Sequence, residues 1–252
     1  MKLLLMIAGL QVFTVLCSGA QQINDSLFNT TVAHPAYQNR RPRVLIDAAH
    51  FNLFSTTTNR IEPLTKLLEA DGYEVDTANS RFTRDLLFKH HVLVILTAVG
   101  ASPQSDSTYF SAFTESEIEV LYNWIRNGGS LLFGIDHSPY NYAGEKLLKR
   151  LGVAIQFGVI EDSVYSEGGL EKGPGDRRET LVFSRENRLL GNHPIIAGRS
   201  PAEGLKKVAI SSGQSIKPPK GGSVLFQLSP NAYNAGVESS TAYRKPVGIY
   251  NA

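Results

Sequence analysis

Residues 114–139 read TESEIEVLYNWIRNGGSLLFGIDHSP, and this stretch decides the fold class. Thr114 and Glu117 form a capping box, in which each side chain accepts the backbone N–H of the other residue at a helix start. Ile118, Leu121 and Ile125 follow at helical spacing with Trp124 beside them, and Gly128-Gly129 ends the helix. Ser130 to Asp136 is then a short apolar run of strand type. A helix feeding directly into an apolar strand is the repeating unit of a parallel sheet.

Working outward, the same unit recurs. Arg43 to Asp47 (RVLID) reads as a strand, and Pro63 opens a helix with Leu64, Leu67 and Leu68 on one face, stopped by Gly72. Tyr73 to Thr77 alternates like an edge strand, Thr83 to Lys89 suits a short helix, and His91 to Thr97 is a strand covered on both faces. Glu145 to Leu151 predicts another helix, and Val153 to Phe157 a fifth strand. The expected class is α/β: a flavodoxin-like doubly wound parallel sheet of order 2-1-3-4-5, helices on both faces, and a strand-rich C-terminal extension. Residues 158–180 read as a long excursion with Gly168-Gly169 and Gly173-Pro174-Gly175. Strand signals return at Lys207 to Ser211, Ser223 to Leu228 and Pro246 to Tyr250.

The chain has 252 residues, 42% hydrophobic and 19% charged, and a formal net charge of +2. That composition is globular, and charge so nearly balanced gives no footprint for nucleic acid. Residues 1–20 have a positive start at Lys2, an apolar stretch from Leu3 to Leu16, and small residues Ser18 and Ala20. This is the pattern of a signal peptide cleaved after Ala20, and the stretch is shorter than the ~20 residues a membrane span needs. The expectation is a secreted or periplasmic protein with no stable membrane anchor, a flexible leader over 21–42, and one domain over 43–252. Asn24-Asp25-Ser26 and Asn29-Thr30-Thr31 in the leader are glycosylation-type sequons. The single cysteine, Cys17, falls inside the signal, so the expected mature chain has no thiol for a disulfide, a zinc site or a nucleophile.

Open parallel sheets bind ligands beyond the carboxyl ends of their strands. Asp47, His50 and Asn52 follow the first strand; Thr97 follows the third; Asp136, His137 and Ser138 follow the fourth. Asp136, His137 and His50 are the candidate catalytic residues, because carboxylates and imidazoles facing one crevice suit proton transfer. Asp47, Asn52, Thr97 and Ser138 are the candidate ligand-binding residues. Each has a structural reading too: Asp47 and Asp136 suit turn or helix caps, and His50 a satisfied surface histidine. Asp47, His50, Asp136 and His137 also make an alternative metal set, though without a metal-type spacing. No GxGxxG or GxxxxGK[ST] loop is present, and no cofactor is expected.

The segments RVLIDAAHFN, IEPLTKLLEADGYEV, VLVILT, FTESEIEVLYNWIRNGGSLLFGIDHSP and AGEKLLKRLGV together resemble the class I glutamine amidotransferase-like superfamily. They are most similar to its exported, largely uncharacterised branch with DxxHxN and DHxP signatures; NHPIIAGR at 192–199 and SGQSIKPPKGGSVLFQL at 212–228 fit the same branch. True glutaminases of the superfamily carry a cysteine nucleophile after strand four; here Gly134-Ile135-Asp136-His137-Ser138 stands there, so thioester chemistry is excluded. Nor are there glycines around Ser138 for a serine elbow. The resemblance implies a domain without glutaminase activity. Its two readings are a binding domain for a small molecule or carbohydrate, and a hydrolase-like enzyme using the Asp/His site, with metal assistance as a variant. Sugar-related relatives of the same fold support a carbohydrate, and related domains in intraflagellar transport proteins serve interaction roles. That branch continues with a further strand and helix, so the stop at Ala252 reads as a natural shortening or a truncation.

Overall fold

The computed structural model describes residues 25, 27–58, 60–100, 111–136, 140–167, 180–211, 213–234 and 245–246. Its centre is a four-stranded parallel sheet made of β1 (Arg43–Asp47), β2 (Glu74–Ala78), β3 (Val92–Leu96) and β4 (Ser130–Gly134), in the order β2-β1-β3-β4. The register pairs Ile46 with Val94 and Val94 with Leu132, so alternate residues of three strands form rows across the sheet.

Those rows explain which helix covers which face. Leu45, Leu93 and Ile95 point to one side, where Leu87 of α2 (Arg84–Leu87), Ile118, Leu121 and Trp124 of α3 (Glu115–Arg126) and Leu147 of α4 (Tyr142–Arg150) pack on them. Val44, Ile46 and Val94 point to the other side, against Ile61 and the Leu64 and Leu68 face of α1 (Glu62–Ala70). Each apolar face thereby finds a partner, which is what drives helices onto both sides of a sheet. On β4 the second row runs out of cover, and Leu132 is half-exposed.

The capping box forms as the sequence requires: the Thr114 hydroxyl accepts the Glu117 N–H at 3.3 Å, and Glu117 Oε2 accepts the Thr114 N–H at 3.0 Å. The fifth run behaves differently. It forms β5 (Ala154–Gln156), which pairs antiparallel with β9 (Ser215–Lys217) and not with the parallel sheet, so the order 2-1-3-4-5 stops at its fourth member. Two features account for this. Ala154 is exposed, so the strand lacks the two apolar faces of a doubly covered position. Directly after it, Gly158 turns with φ 126, and a Cβ there would lie 1.8 Å from Asn234 Oδ1.

Beyond that turn the chain builds short antiparallel strands. β6 (Ile160–Asp162) joins β10 (Ala232–Asn234) and β11 (Lys245–Pro246), and β7 (Thr180–Ser184) pairs with β8 (Lys207–Ser211). Leu181, Phe183, Leu190, Ile196 of the short helix α5 (Pro194–Ala197) and Ala232 form their core. The excursion expected over 158–180 therefore contains a strand, and its residues 168–179 lie outside the described ones. Residues 223–228 contribute one bridge, Leu190 to Phe226, where a strand was expected. Of the run Pro246 to Tyr250, only Pro246 is described, within β11.

Candidate functional site

Asp47 ends β1 fully buried, and the turn after it is built on its carboxylate. Oδ1 accepts the Ala49 N–H at 3.1 Å, and Oδ2 accepts from Asn52 Nδ2 at 3.0 Å. The turn brings His50 back over Asp47, with Nδ1 at 2.9 Å from both oxygens. His50 Nε2 faces the other way and lies 3.0 Å from Glu117 Oε1.

Glu117 belongs to the first turn of α3 and takes four donors. Oε1 accepts from His50 and from the Phe82 N–H at 3.1 Å; Oε2 accepts the Thr114 N–H at 3.0 Å and its hydroxyl at 2.7 Å. One carboxylate thus ties together the β1 turn, the entry to α2 and the start of α3. Phe82 and Phe113 close over the imidazole, with ring centroids at 4.7 and 4.9 Å. His50 is 4% exposed and Glu117 3%.

The arrangement favours the protonated form of His50. A neutral imidazole has one acceptor nitrogen, which would face a carboxylate oxygen, acceptor to acceptor. With both carboxyls ionised, both nitrogens donate, which is the arrangement of an imidazolium. Burial alone disfavours the charge, but the hydrogen bonds and attraction of Asp47, then Glu117, outweigh it and raise the pKa above its ordinary 6.5. Burial likewise pushes the Glu117 carboxyl up, and the Thr114 and His50 donors more than reverse this, holding it below 4.5.

Thr97 is buried beyond β3 and joins through its backbone: its carbonyl accepts the Leu53 N–H at 3.0 Å, and its own N–H donates to the Gly134 carbonyl at 2.8 Å. The carboxyl ends of β1, β3 and β4 are thereby linked in one rim. Asp136 lies half-buried just past β4, while His137 and Ser138 lie outside the described residues. Among the expected site residues, Asp47, His50 and Asn52 share one network, and Thr97 meets it through the chain. Glu117, Phe82 and Phe113 complete that network without having been expected there. Glu117 was visible only as a helix cap, and nothing in the sequence shows that its second oxygen reaches a histidine.

An open hollow of about 420 Å³ lies between the first turns of α3 and α4, lined by Ser111, Phe113, Thr114, Glu115, Tyr142, Glu145 and Lys146. Lys146 and Glu115 pair across it at 2.6 Å. Phe113 is both a wall of the hollow and one of the rings on His50, so the aromatic side chain stands between the imidazole and open space. Among the described residues, no group of three or more His, Cys, Asp or Glu is placed to hold a metal ion. Nor is any helix among them long and apolar enough to cross a membrane.

No family model and no curated protein matches the chain. Solved structures do, among them a chain titled "mmIFT52 N-terminal domain", which superposes with a TM-score of 0.56 at 17% identity. The superposition covers 75% of this chain and 74% of that one. Similarity at this identity is a similarity of fold alone.

Proposed function

We propose that this chain is an exported binding domain of the glutamine amidotransferase-like type, with a flavodoxin-like sheet, that takes a small molecule or carbohydrate at the carboxyl edge of its strands. The observation that carries this reading is the state of His50. A general base needs a free nitrogen within reach of substrate. His50 has both nitrogens facing buried carboxylates and two aromatic rings packed against its imidazole. The only cysteine in the sequence is Cys17, so none falls on the strands or on the turns that follow them. The acid and imidazole chemistry is in this reading structural, and the open hollow between α3 and α4 is one place along that edge where a ligand has room.

The test is a paired screen of the secreted protein: a glycan and metabolite binding array, and a hydrolase substrate panel. Saturable binding without turnover supports the proposal. Turnover abolished by Asp136→Asn with the fold intact would overturn it in favour of a hydrolase.

A further inference from the structure

Phe51 breaks two ordinary rules at once. The residue is 56% exposed, and its backbone has φ 52, in the left-handed region that bulky side chains avoid. The residues around it leave no freedom to relax. The His50 carbonyl accepts from Val99 and Gly100 N–H groups at 3.1 and 2.9 Å. Asn52 accepts the His50 N–H at 3.2 Å and donates to Asp47, and Leu53 is bonded to Thr97. A buried network therefore holds a strained residue whose side chain takes no part in the core. Strain maintained in this way is a mark of function.

Its position agrees. The order β2-β1-β3-β4 reverses between β1 and β3, and the crevice outside such a switch point is where open α/β sheets bind ligands. Phe51 leaves the end of β1, and Thr97, with φ 48, leaves the end of β3.

The surrounding chemistry narrows the ligand. Residues 47–55, 97–100 and 134–136 contain no lysine or arginine, and their half-buried charge is Asp136. Among the described residues of these three turns, a phosphate or carboxylate would meet no lysine or arginine. A neutral ligand with a flat apolar face and hydroxyls at its edge suits an exposed ring beside polar groups. At the start of α4, fully buried Asn141 donates to Gln214, yet Asn141 Oδ1 and Gln214 Nε2 have no partner among the described residues. Turning both amides together exchanges which atoms are left over but still leaves one unmatched donor and one unmatched acceptor, which is the complement of hydroxyl groups.

We propose that Phe51 is the stacking platform for a neutral pyranose ring bound at the β1/β3 switch point, and that the Asp47–His50–Asn52 network is the device that holds it outward. This rests on the binding reading above, adds the ligand class, and places its contact at Phe51, which does not line the hollow between α3 and α4. The experiment titrates the full chain with methyl glycosides of neutral hexoses, with hexose phosphates as the comparison, in wild type, Phe51→Gly and Phe51→Trp. The proposal expects a neutral glycoside to bind better than its phosphate. It expects affinity to fall about tenfold in Phe51→Gly, the loss of one aromatic contact, and to be kept in Phe51→Trp. Glycine adopts φ 52 freely, so the Gly variant is expected to melt no lower than wild type. A glycoside whose affinity is unchanged in Phe51→Gly would overturn the platform and leave the binding reading standing. Stronger binding of the phosphate would overturn the ligand class. No binding by any array member or glycoside would overturn both.

Discussion

At the scale of single residues, the central event is the enclosure of one imidazolium by two carboxylates. Truncating His50 leaves Asp47 and Glu117 buried without the charge that separates them. Removing one partner of a buried ionic group typically costs about 3–5 kcal/mol. His50→Ala is therefore expected to lower Tm by roughly 10 °C in thermal unfolding, at about 2–4 °C per kcal/mol for a chain of this size. A loss of a degree or two would mean that the pair is not the lock described here. The sequence made half of this legible. Asp47, His50 and Asn52 stand out as polar residues after an apolar strand. Glu117 does not, because it is 67 positions from His50 and already has a sufficient role as a cap. Phe51 was equally hidden, since a left-handed φ at a phenylalanine leaves no trace in residue type.

At the scale of elements, two helix starts offer a contrast. Thr83 caps α2 by accepting the Leu86 N–H, and among the described residues its hydroxyl has no second partner. Thr114 caps α3 and also donates to Glu117, which holds His50. Thr83→Ala is expected to cost about 1 kcal/mol, the ordinary loss of a cap. Thr114→Ala is expected to cost about 2 kcal/mol or more, since a buried carboxylate loses a donor as well. Equal values in urea unfolding would argue against a helix start that serves two purposes. The elements themselves were read well where long apolar periodicity specifies them, as in α3 and β1 to β4. β5 was placed in the wrong sheet. A three-residue strand carries too little pattern to show its partner, and the turn at Gly158 that diverts it depends on Asn234, far along the chain.

At the scale of the whole molecule, the buried imidazolium makes stability depend on pH, and the sign follows from the two shifts. His50 has its folded pKa raised above 6.5, so its contribution is complete below that pH and is lost as pH climbs through the higher folded value. Glu117 is held below 4.5, so its contribution is present above that pH and is lost as pH falls through the lower folded value. Together they favour a stability plateau between those pH values, declining on the alkaline side. That decline belongs to a domain that uses its histidine as a fastening; a general base would be stored neutral and ready. The most direct test is the free energy of unfolding of wild type minus that of His50→Gln, measured from pH 5 to pH 9. The difference is expected to be largest below pH 6.5 and to shrink steadily as pH rises. A difference that grows with pH would show a neutral imidazole in the folded protein, and would return His50 to the list of reacting groups.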